Sequence, residues 1–213
     1  MRHSIMPTLL VAGGLVLTVP LALADDDTTT TTDNTAEHHE KANNALRIGA
    51  AWVVPNGDTT IHQNQVDQAH ITADNATGFF IDWEGRIMPW LGIDVEGLYA
   101  KPKFHAFPVT GIETVESTKT YTGSVGINFH VFSRARVDLY LGPYLAYTFF
   151  GNVFNDAFGY GGLLGLDIGL TKKGLILTGS VRYTHTDADF KDVNGATYPY
   201  DPLVYQLGLG WRF

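Results

Sequence analysis

The chain has 213 residues, no cysteine, 23 glycines, 12% aromatic residues and 17% charged residues, with a formal net charge of −8. Soluble domains usually contain about 25% charged residues, so this chain is short of the charge that a water-exposed surface uses. The absence of cysteine excludes disulfides and thiolate zinc sites, and the negative charge argues against a nucleic-acid partner.

The N-terminus has the pattern of an export signal. Arg2 and His3 supply positive charge, residues 9–23 form an apolar run, and Ala22 and Ala24 flank a leucine as a small-residue cleavage site. A membrane anchor is the alternative, but two glycines and a proline interrupt the run and three aspartates follow it. The sequence therefore predicts a signal peptide at 1–24, cleaved after Ala24. Beyond it, no apolar run reaches the roughly 18 residues that a membrane-spanning helix needs.

Residues 25–44 are acidic and threonine-rich, with almost nothing apolar. Such a segment cannot bury enough surface to offset the entropy lost on ordering, so we predict a disordered periplasmic leader. Within it, Glu-His-His-Glu at 37–40 contains possible metal ligands. Adjacent histidines in a disordered tail are more often simply solvated, so we predict neither a metal site nor a cofactor.

From residue 45 onward, apolar and polar residues alternate with the period of a β-strand. In the first run Leu46, Ile48 and Trp52 share one face, while Arg47 and Gly49 lie on the other. The runs are mostly near the 9–11 residues that a tilted strand needs to cross a bilayer. Eight runs follow this pattern, at 46–54, 79–87, 91–99, 120–131, 137–149, 164–170, 175–183 and 203–213.

Alternation alone does not say which face meets water, and a secreted lipocalin-like barrel would turn its apolar face inward. Here the polar face is mostly Gly, Ala, Ser and Thr, which suits a narrow lumen, and aromatic residues lie on the apolar face as in a membrane girdle. Short connections alternate with long ones, the latter at 55–75, 101–118, 150–160 and 185–202. We therefore predict an all-β protein whose residues 45–213 form an eight-stranded antiparallel up-and-down barrel in the bacterial outer membrane.

The predicted lumen contains charges of both signs. An eight-stranded barrel has little room beyond its own side chains, so these charges must pair, and arginine suits pairing with carboxylates. The interpretation as a salt-bridged plug is favoured over a selectivity region or gate. The residues are Arg47, Asp82, Glu84, Arg86, Asp94, Glu96, Asp138, Asp167, Arg182 and Arg212.

The long connections are rich in aromatic residues, and exposed apolar patches often mark ligand grooves. One hypothesis is a hydrophobic vestibule that collects apolar solutes. The alternative is that these rings pack on one another and against lipopolysaccharide. The predicted vestibule residues are Phe104, Phe107, Phe150, Phe154, Phe158, Tyr160, Tyr198 and Tyr200.

The segment Arg182-Tyr183-Thr184-His185-Thr186-Asp187 resembles the His-x-Ser segment of outer-membrane lipid A deacylases. A hydrolase of that kind needs a serine within reach of the histidine, which activates its hydroxyl. Asp187 occupies the serine position here. The sequence therefore predicts that the protein is not an enzyme and that His185 lies at a loop rim.

The C-terminal stretch Asp201-Pro202-Leu203-Val204-Tyr205, continuing to Gly208-Leu209-Gly210-Trp211-Arg212-Phe213, resembles the last strand of the OmpW/AlkL family of small outer-membrane barrels. Residues 47–58 resemble the first strand and loop of that family, and residues 138–150 resemble its fifth strand. The resemblance implies that Trp211 and Phe213 belong to the element read by the barrel-assembly machinery. It also implies passive uptake of small hydrophobic molecules, which enter at the extracellular mouth and leave sideways into the membrane.

A structural or adhesin-like barrel is the alternative function, with a closed lumen and extracellular loops that bind a ligand or a host. Binding that depends on 55–75 or 185–202, without any uptake, would favour it. The expected partners are outer-membrane lipid, lipopolysaccharide and, for the transport hypothesis, small hydrophobic solutes. A monomer is favoured, although the sequence does not fix the oligomeric state.

Overall fold

The computed structural model describes residues 44–57, 59–63, 66–108, 111–133, 136–191 and 197–213, giving only the backbone between 61 and 68. The predicted signal peptide and the leader up to residue 43, including the Glu-His-His-Glu cluster, lie outside these ranges. In the described ranges, no helix is long and apolar enough to cross a membrane.

The described chain is built from strands. Thirteen are present among the described residues: β1 (Asn44–Val54), β2 (Thr59–Gln63), β3 (Val66–Ala73), β4 (Ala76–Met88), β5 (Leu91–Ala100), β6 (Lys103–Pro108), β7 (Thr114–Ser117), β8 (Thr120–Ser133), β9 (Val137–Phe150), β10 (Ala157–Gly169), β11 (Leu175–Asp189), β12 (Thr197–Pro199) and β13 (Leu203–Arg212).

Eight of these strands close into a barrel. The strand order is β10-β9-β8-β5-β4-β1-β13-β11, and β11 pairs back onto β10. Every neighbouring pair is antiparallel. Closure satisfies the backbone polar groups without leaving an edge, which hydrocarbon demands of a spanning sheet. The predicted eight-stranded antiparallel barrel is confirmed.

The wall separates the two faces of each strand as the alternation predicts. On β1, Ile48 and Trp52 point outward and are more than half exposed, whereas Arg47 is 1% exposed inside the barrel. A soluble barrel would show the reverse arrangement. The large apolar side chains therefore face outward, toward hydrocarbon, and the charged ones face the lumen.

Aromatic rings contact one another around the outer wall. Phe79, Tyr99 and Tyr121 follow in sequence across β4, β5 and β8, with 5.1 Å between successive ring centroids. At the opposite end of the barrel, Trp90 stacks on Phe129. Aromatic girdles at both interfaces are typical of outer-membrane barrels.

Short connections lie at one end, where both described termini of the barrel also meet. Asn44 and Phe213 exchange two backbone hydrogen bonds of 3.0 Å there. The β10–β11 turn contains Gly174, whose φ of +95° lies in the left-handed region that favours glycine. This end corresponds to the predicted periplasmic side.

The long connections differ from the expected loops. Residues 55–75 contain β2 and β3, and residues 101–118 contain β6 and β7; together they form a second, four-stranded sheet in the order β2-β3-β6-β7. These strands are short and mostly polar, so they lack a clear apolar alternation. The remaining long loops are shorter than predicted, because β10 begins at Ala157 and β11 continues to Asp189.

Candidate functional site

Arg47 lies at the centre of an ion-paired block in the lower half of the lumen, near the short turns. Its guanidinium lies 2.7 Å from Asp82 and 2.6 Å from Glu84, both on the adjacent strand β4. It also lies 2.9 Å from Asp167, which projects from β10. The Tyr140 ring packs against the same guanidinium at 5.0 Å, so one cation links separate parts of the wall.

Two further arginines extend this block toward the short turns. Arg212 lies 3.0 Å from Asp138 and 3.2 Å from Asp167. Arg86 lies 3.3 Å from Glu84 and also pairs with Asp138. The carboxylates are therefore shared between cations, which favours a fixed network over isolated pairs.

His130 belongs to the same block. Its Nε2 lies 2.7 Å from Glu84 and its Nδ1 lies 2.9 Å from Asp138. Its side chain is fully buried. His130 joins β8 to β4 and β9 through the network.

A second, smaller network surrounds Arg182 in the middle of the barrel. Arg182 lies 2.8 Å from Asp94 and 3.1 Å from Glu96, and it donates to the Ser124 hydroxyl at 3.3 Å. Gln206 donates to Glu96 at 2.9 Å. The ten predicted lumen residues thus lie in two layers, seven with Arg47 and three with Arg182.

The lumen also has apolar walls. Ala51, Val53, Ala76, Phe80, Ala100 and Val204 cluster on the inner faces of β1, β4, β5 and β13. Tyr140, Tyr144, Ala146 and Leu163 form another cluster on β9 and β10. Tyr144 also packs on the Arg182 guanidinium at 5.3 Å, so this second apolar wall adjoins the Arg182 layer.

Aromatic rings close the end of the barrel where the long connections lie. The mouth cluster consists of Ile71, Phe104, Phe150, Phe154, Ala157, Ala188, Tyr198 and Tyr200. Phe154 is fully buried, with ring centroids 4.9 Å from Phe104 and 5.3 Å from Phe150. Burial raises the pKa of Tyr200 well above its usual range. The cluster brings β6 of the small sheet into contact with the barrel strands.

Three of the eight predicted vestibule residues lie elsewhere. Phe158 and Tyr160 are 79% and 62% exposed on the outer face of β10, so assigning them to the vestibule was wrong. The reason is that β10 begins before them, which places both on the lipid-facing side of the alternation. Phe107 lies on β6, where it stacks beside His105 at 6.2 Å, outside the mouth cluster.

His185 lies within β11 and not at a loop rim. Its Nδ1 lies 2.9 Å from Asp201 and its Nε2 lies 3.8 Å from Asp187, so its side-chain partners are acidic. Ser180 on the same strand instead donates to Gln206. The described residues around His185 therefore do not include a serine nucleophile bonded to it.

Sequence reasoning missed His130, Asn128 and Gln206 as members of the charged networks. His130 and Asn128 do fall on the polar face of the fourth run, and Gln206 on that of the eighth. Their position on the polar face could have identified these three residues as lining the lumen. Asn128 donates to Glu84 at 3.4 Å, 44 residues away in sequence, and Gln206 donates to Glu96, 110 residues away. His130 contacts Asp138 on the next strand but also the distant Glu84, so the long-range partners could not be predicted from spacing.

The wall contains one interruption of the strand pairing in mid-barrel. Pairing of β8 with β9 stops at Ile127, which lies opposite Pro143, and at Asn128, which lies opposite Gly142, and it resumes on both sides. Pro143 still pairs with Gly162 of β10. Proline has no amide hydrogen, and a strand residue directs both backbone polar groups to the same neighbour. The missing donor therefore faces β8.

The described residues contain no group of three or more histidine or acidic side chains arranged to hold a metal ion. Trp211 and Phe213, the expected assembly element, both point outward and are about half exposed. This leaves the lumen networks, the mouth cluster and the interruption at Pro143 as the candidate functional features.

Solved structures with the same fold are outer-membrane proteins. OprG from Pseudomonas aeruginosa is 18% identical, with a TM-score of 0.67 over 81% of this chain and 97% of OprG. AlkL is 15% identical, with a TM-score of 0.60 over 89% of this chain and 97% of AlkL. E. coli outer membrane protein W is 18% identical, with a TM-score of 0.52 over 82% of this chain and all of that chain. The expected resemblance to OmpW and AlkL is confirmed at the level of the fold.

No curated protein matches the sequence. A family model, described as the outer membrane protein beta-barrel domain, matches residues 21–213. Together with the closed barrel and its outward apolar face, this match places the protein in the bacterial outer membrane. The chain belongs to the outer membrane protein beta-barrel domain family.

Proposed function

We propose that the protein mediates passive uptake of small hydrophobic molecules across the outer membrane. The observation that carries this proposal is the vertical order of the lumen: an aromatic mouth cluster lies at the top, apolar walls lie beside the Arg182 ion pairs in mid-barrel, and the ion-paired Arg47 block forms the base. A hydrophobic solute would gain favourable contacts at the mouth, pass the apolar walls beside the Arg182 ion pairs, and be stopped by the ion-paired base.

The mouth supports the binding step. Five aromatic residues pack edge to face or tilted there, including Phe150 against Tyr200 at 5.3 Å. Ligand sites for apolar molecules are lined mainly by aromatic and aliphatic side chains with a few polar groups. Tyr198 supplies one such polar group, and its hydroxyl donates to the Gly57 carbonyl at 2.7 Å. An entering solute would displace ring contacts without breaking ion pairs.

The base argues against passage straight through the barrel. Arg47, Glu84 and Asp167 are at most 1% exposed, so their side chains fill the bore at that level. Removing one partner of a buried pair costs about 3–5 kcal/mol, a cost that a hydrophobic solute cannot offset with contacts of its own. An exit through the wall is therefore favoured.

The interruption at Pro143 supports a position for that exit. It lies beside the cluster of Tyr140, Tyr144, Ala146 and Leu163, so a solute would follow this apolar wall past the adjoining Arg182 ion pairs to reach it. Outside, Ile127 faces outward. Strands that lack a ladder hydrogen bond separate at lower cost than fully paired ones. The solute would pass between β8 and β9 into the membrane.

Uptake of an alkane and of an aromatic compound by cells with and without the protein tests the proposal. We expect faster uptake of both when the protein is present. Equal rates for every hydrophobic compound tried would end the transport proposal.

The exit is tested by Pro143→Ala, which restores an amide hydrogen opposite β8. We expect a more stable barrel, by about 0.5–1.5 kcal/mol for the new hydrogen bond, and slower uptake at equal expression. Pro89→Ala is the matched control, since Pro89 lies in the exposed β4–β5 turn. Unchanged uptake in a folded Pro143→Ala protein would place the exit elsewhere.

An adhesin-like role is the second candidate, favoured by the exposed apolar residues of the small sheet and its loop. Ile112 is 89% exposed, and Val115 and Phe107 are about half exposed. Exposed apolar patches often mark interaction sites. Binding of cells or purified ligands that Ile112→Ser abolishes, with no uptake difference, would support this role over transport.

A further inference from the structure

Strand β6 carries two different features on its two faces. Phe104 points into the mouth cluster, with its ring 4.9 Å from Phe154 and 5.7 Å from Tyr198. The next residue, His105, lies on the opposite face, since neighbouring residues of a strand alternate. Anything that moves His105 and its strand therefore also moves Phe104.

His105 joins three segments of the extracellular region. Its Nδ1 lies 2.5 Å from Glu113, just before β7, and its Nε2 lies 3.0 Å from Asp74, just after β3. A neutral imidazole has one N–H and can donate to only one of these carboxylates, whereas the imidazolium donates to both. Hydrogen bonds from His105 to both carboxylates therefore require the imidazolium form, which has a proton on each ring nitrogen.

Electrostatics favours that proton. Hydrogen bonding to Glu113, and then to Asp74, raises the pKa of His105 above its usual value. The clasp is therefore complete below about pH 6.5, the ordinary histidine value, and is lost as pH rises through the raised value. Among the described side chains of β6 and of the strands paired with it, the other charged or titratable groups are Lys103 on β6, His70 on β3 and, on the opposite face, Glu116 on β7.

A metal ion is not the ligand that these residues select. Both ring nitrogens are already directed at carboxylates, and the described part of the chain lacks a group of three or more such side chains arranged for a metal. Two carboxylates facing one imidazole instead favour a histidine whose protonation state, and hence whose contacts, change with pH.

We propose that His105, Asp74 and Glu113 form an acid-sensitive clasp that holds Phe104 in the mouth cluster, so that the mouth closes in acid and loosens at alkaline pH. The effect on uptake rests on the proposed transport function; the clasp itself does not. The backbone supports the coupling, because the Asp74 amide donates to the Lys103 carbonyl at 2.8 Å and so ties the end of β3 to β6. Exposed ion pairs are weak, so we expect a change of up to about fivefold.

The first test compares hydrophobic uptake at about pH 5.5 and about pH 8, on either side of the histidine range. We expect wild-type uptake to be up to about fivefold slower in acid. His105→Gln should remove this difference, and His105→Lys, which keeps a permanent cation, should stay slow at both values. His70→Gln is the matched control and should behave as wild type. A pH response that persists in His105→Gln would overturn the proposal.

The second test does not depend on transport. The chain has no cysteine, so Thr114→Cys provides a unique site for a spin label on β7, opposite Ala106 of β6. We expect the label to be more mobile at about pH 8 than at about pH 5.5, and His105→Gln to remove the difference. A pH-independent label would refute the clasp. A pH-dependent label in a protein without uptake would retain the clasp and refute the transport function.

Discussion

At Arg47, one guanidinium meets carboxylates from two distant parts of the chain. Asp82 and Glu84 come from the neighbouring strand, and Asp167 lies 120 residues away in sequence. Arginine suits this position because its five donors are arranged in a rigid fork and it stays charged in any environment. Lysine would present a single charged nitrogen and could not reach three carboxylates in the same way.

Replacing Arg47 with methionine should therefore destabilise the barrel strongly. Asp82 would lose its arginine partner, while Glu84 and Asp167 would keep only their contacts with Arg86 and Arg212, for an expected loss of about 3–5 kcal/mol in the free energy of unfolding. Urea unfolding in lipid vesicles measures this loss.

The control for that experiment is Arg136→Met. Arg136 lies exposed at the β8–β9 connection, so the expected change stays within about 0.5 kcal/mol. A loss below about 1 kcal/mol for Arg47→Met would mean that the network relaxes or takes up protons instead of remaining charged.

At the scale of elements, the two ends of the barrel are built differently. Short turns connect strands at the base, where the backbone must reverse within a few residues. At the mouth, the long connections form their own sheet and contribute Phe104 to the mouth cluster. The mouth is therefore assembled from several connections that meet in one buried cluster, whereas each turn at the base involves a single connection.

The β10–β11 turn depends on Gly174. At φ +95°, an added Cβ would lie 2.2 Å from the Arg212 carbonyl oxygen. Gly174→Ala should therefore cost about 1–3 kcal/mol of stability, measured as a lower urea midpoint. Gly151→Ala is the control, since its Cβ would meet nothing closer than 3.5 Å. Equal midpoints for the two variants would show that the turn can adopt another conformation.

At the scale of the whole molecule, the lumen is aromatic at the mouth and contains ion pairs from mid-barrel to the base. Water-filled porins need a continuous polar bore, and eight strands enclose little more than their own side chains. The ion pairs of Arg47 and Arg182 occupy that space. The lumen is therefore lined by aromatic rings at the mouth and filled by ion pairs at the base.

This arrangement of the lumen predicts that the protein does not conduct ions. The purified protein in a planar lipid bilayer should give no steady ion conductance, and uptake of a small hydrophilic sugar should be equal in cells with and without the protein. Both follow because the buried networks leave no connected water path. Stable current steps of the kind that open porins produce would contradict the closed base.

Much of the barrel was predictable because the inward or outward direction of a side chain depends only on its position within its own strand. The inward position of Arg47 and the outward position of Trp52 follow from alternation within one strand, and the chain has few other ways to place both. The first and last residues of the strands were harder to predict. The outward positions at the start of β10 are Phe158, Tyr160, Gly162 and Leu164, and the glycine interrupts the apolar alternation there. The sequence pattern therefore assigns Phe158 and Tyr160 to a loop.

By itself, the sequence determined the number of barrel strands, the face that meets the membrane and the identity of the charged lumen residues, since each depends on a period of two and on composition. Only the tertiary structure decided which cation meets which carboxylate, because Arg47 and Asp167 are joined by barrel closure. It also decided that β6 carries Phe104 into the mouth and that Pro143 interrupts the pairing with β8. These features depend on contacts between segments far apart in the chain, which no local pattern records.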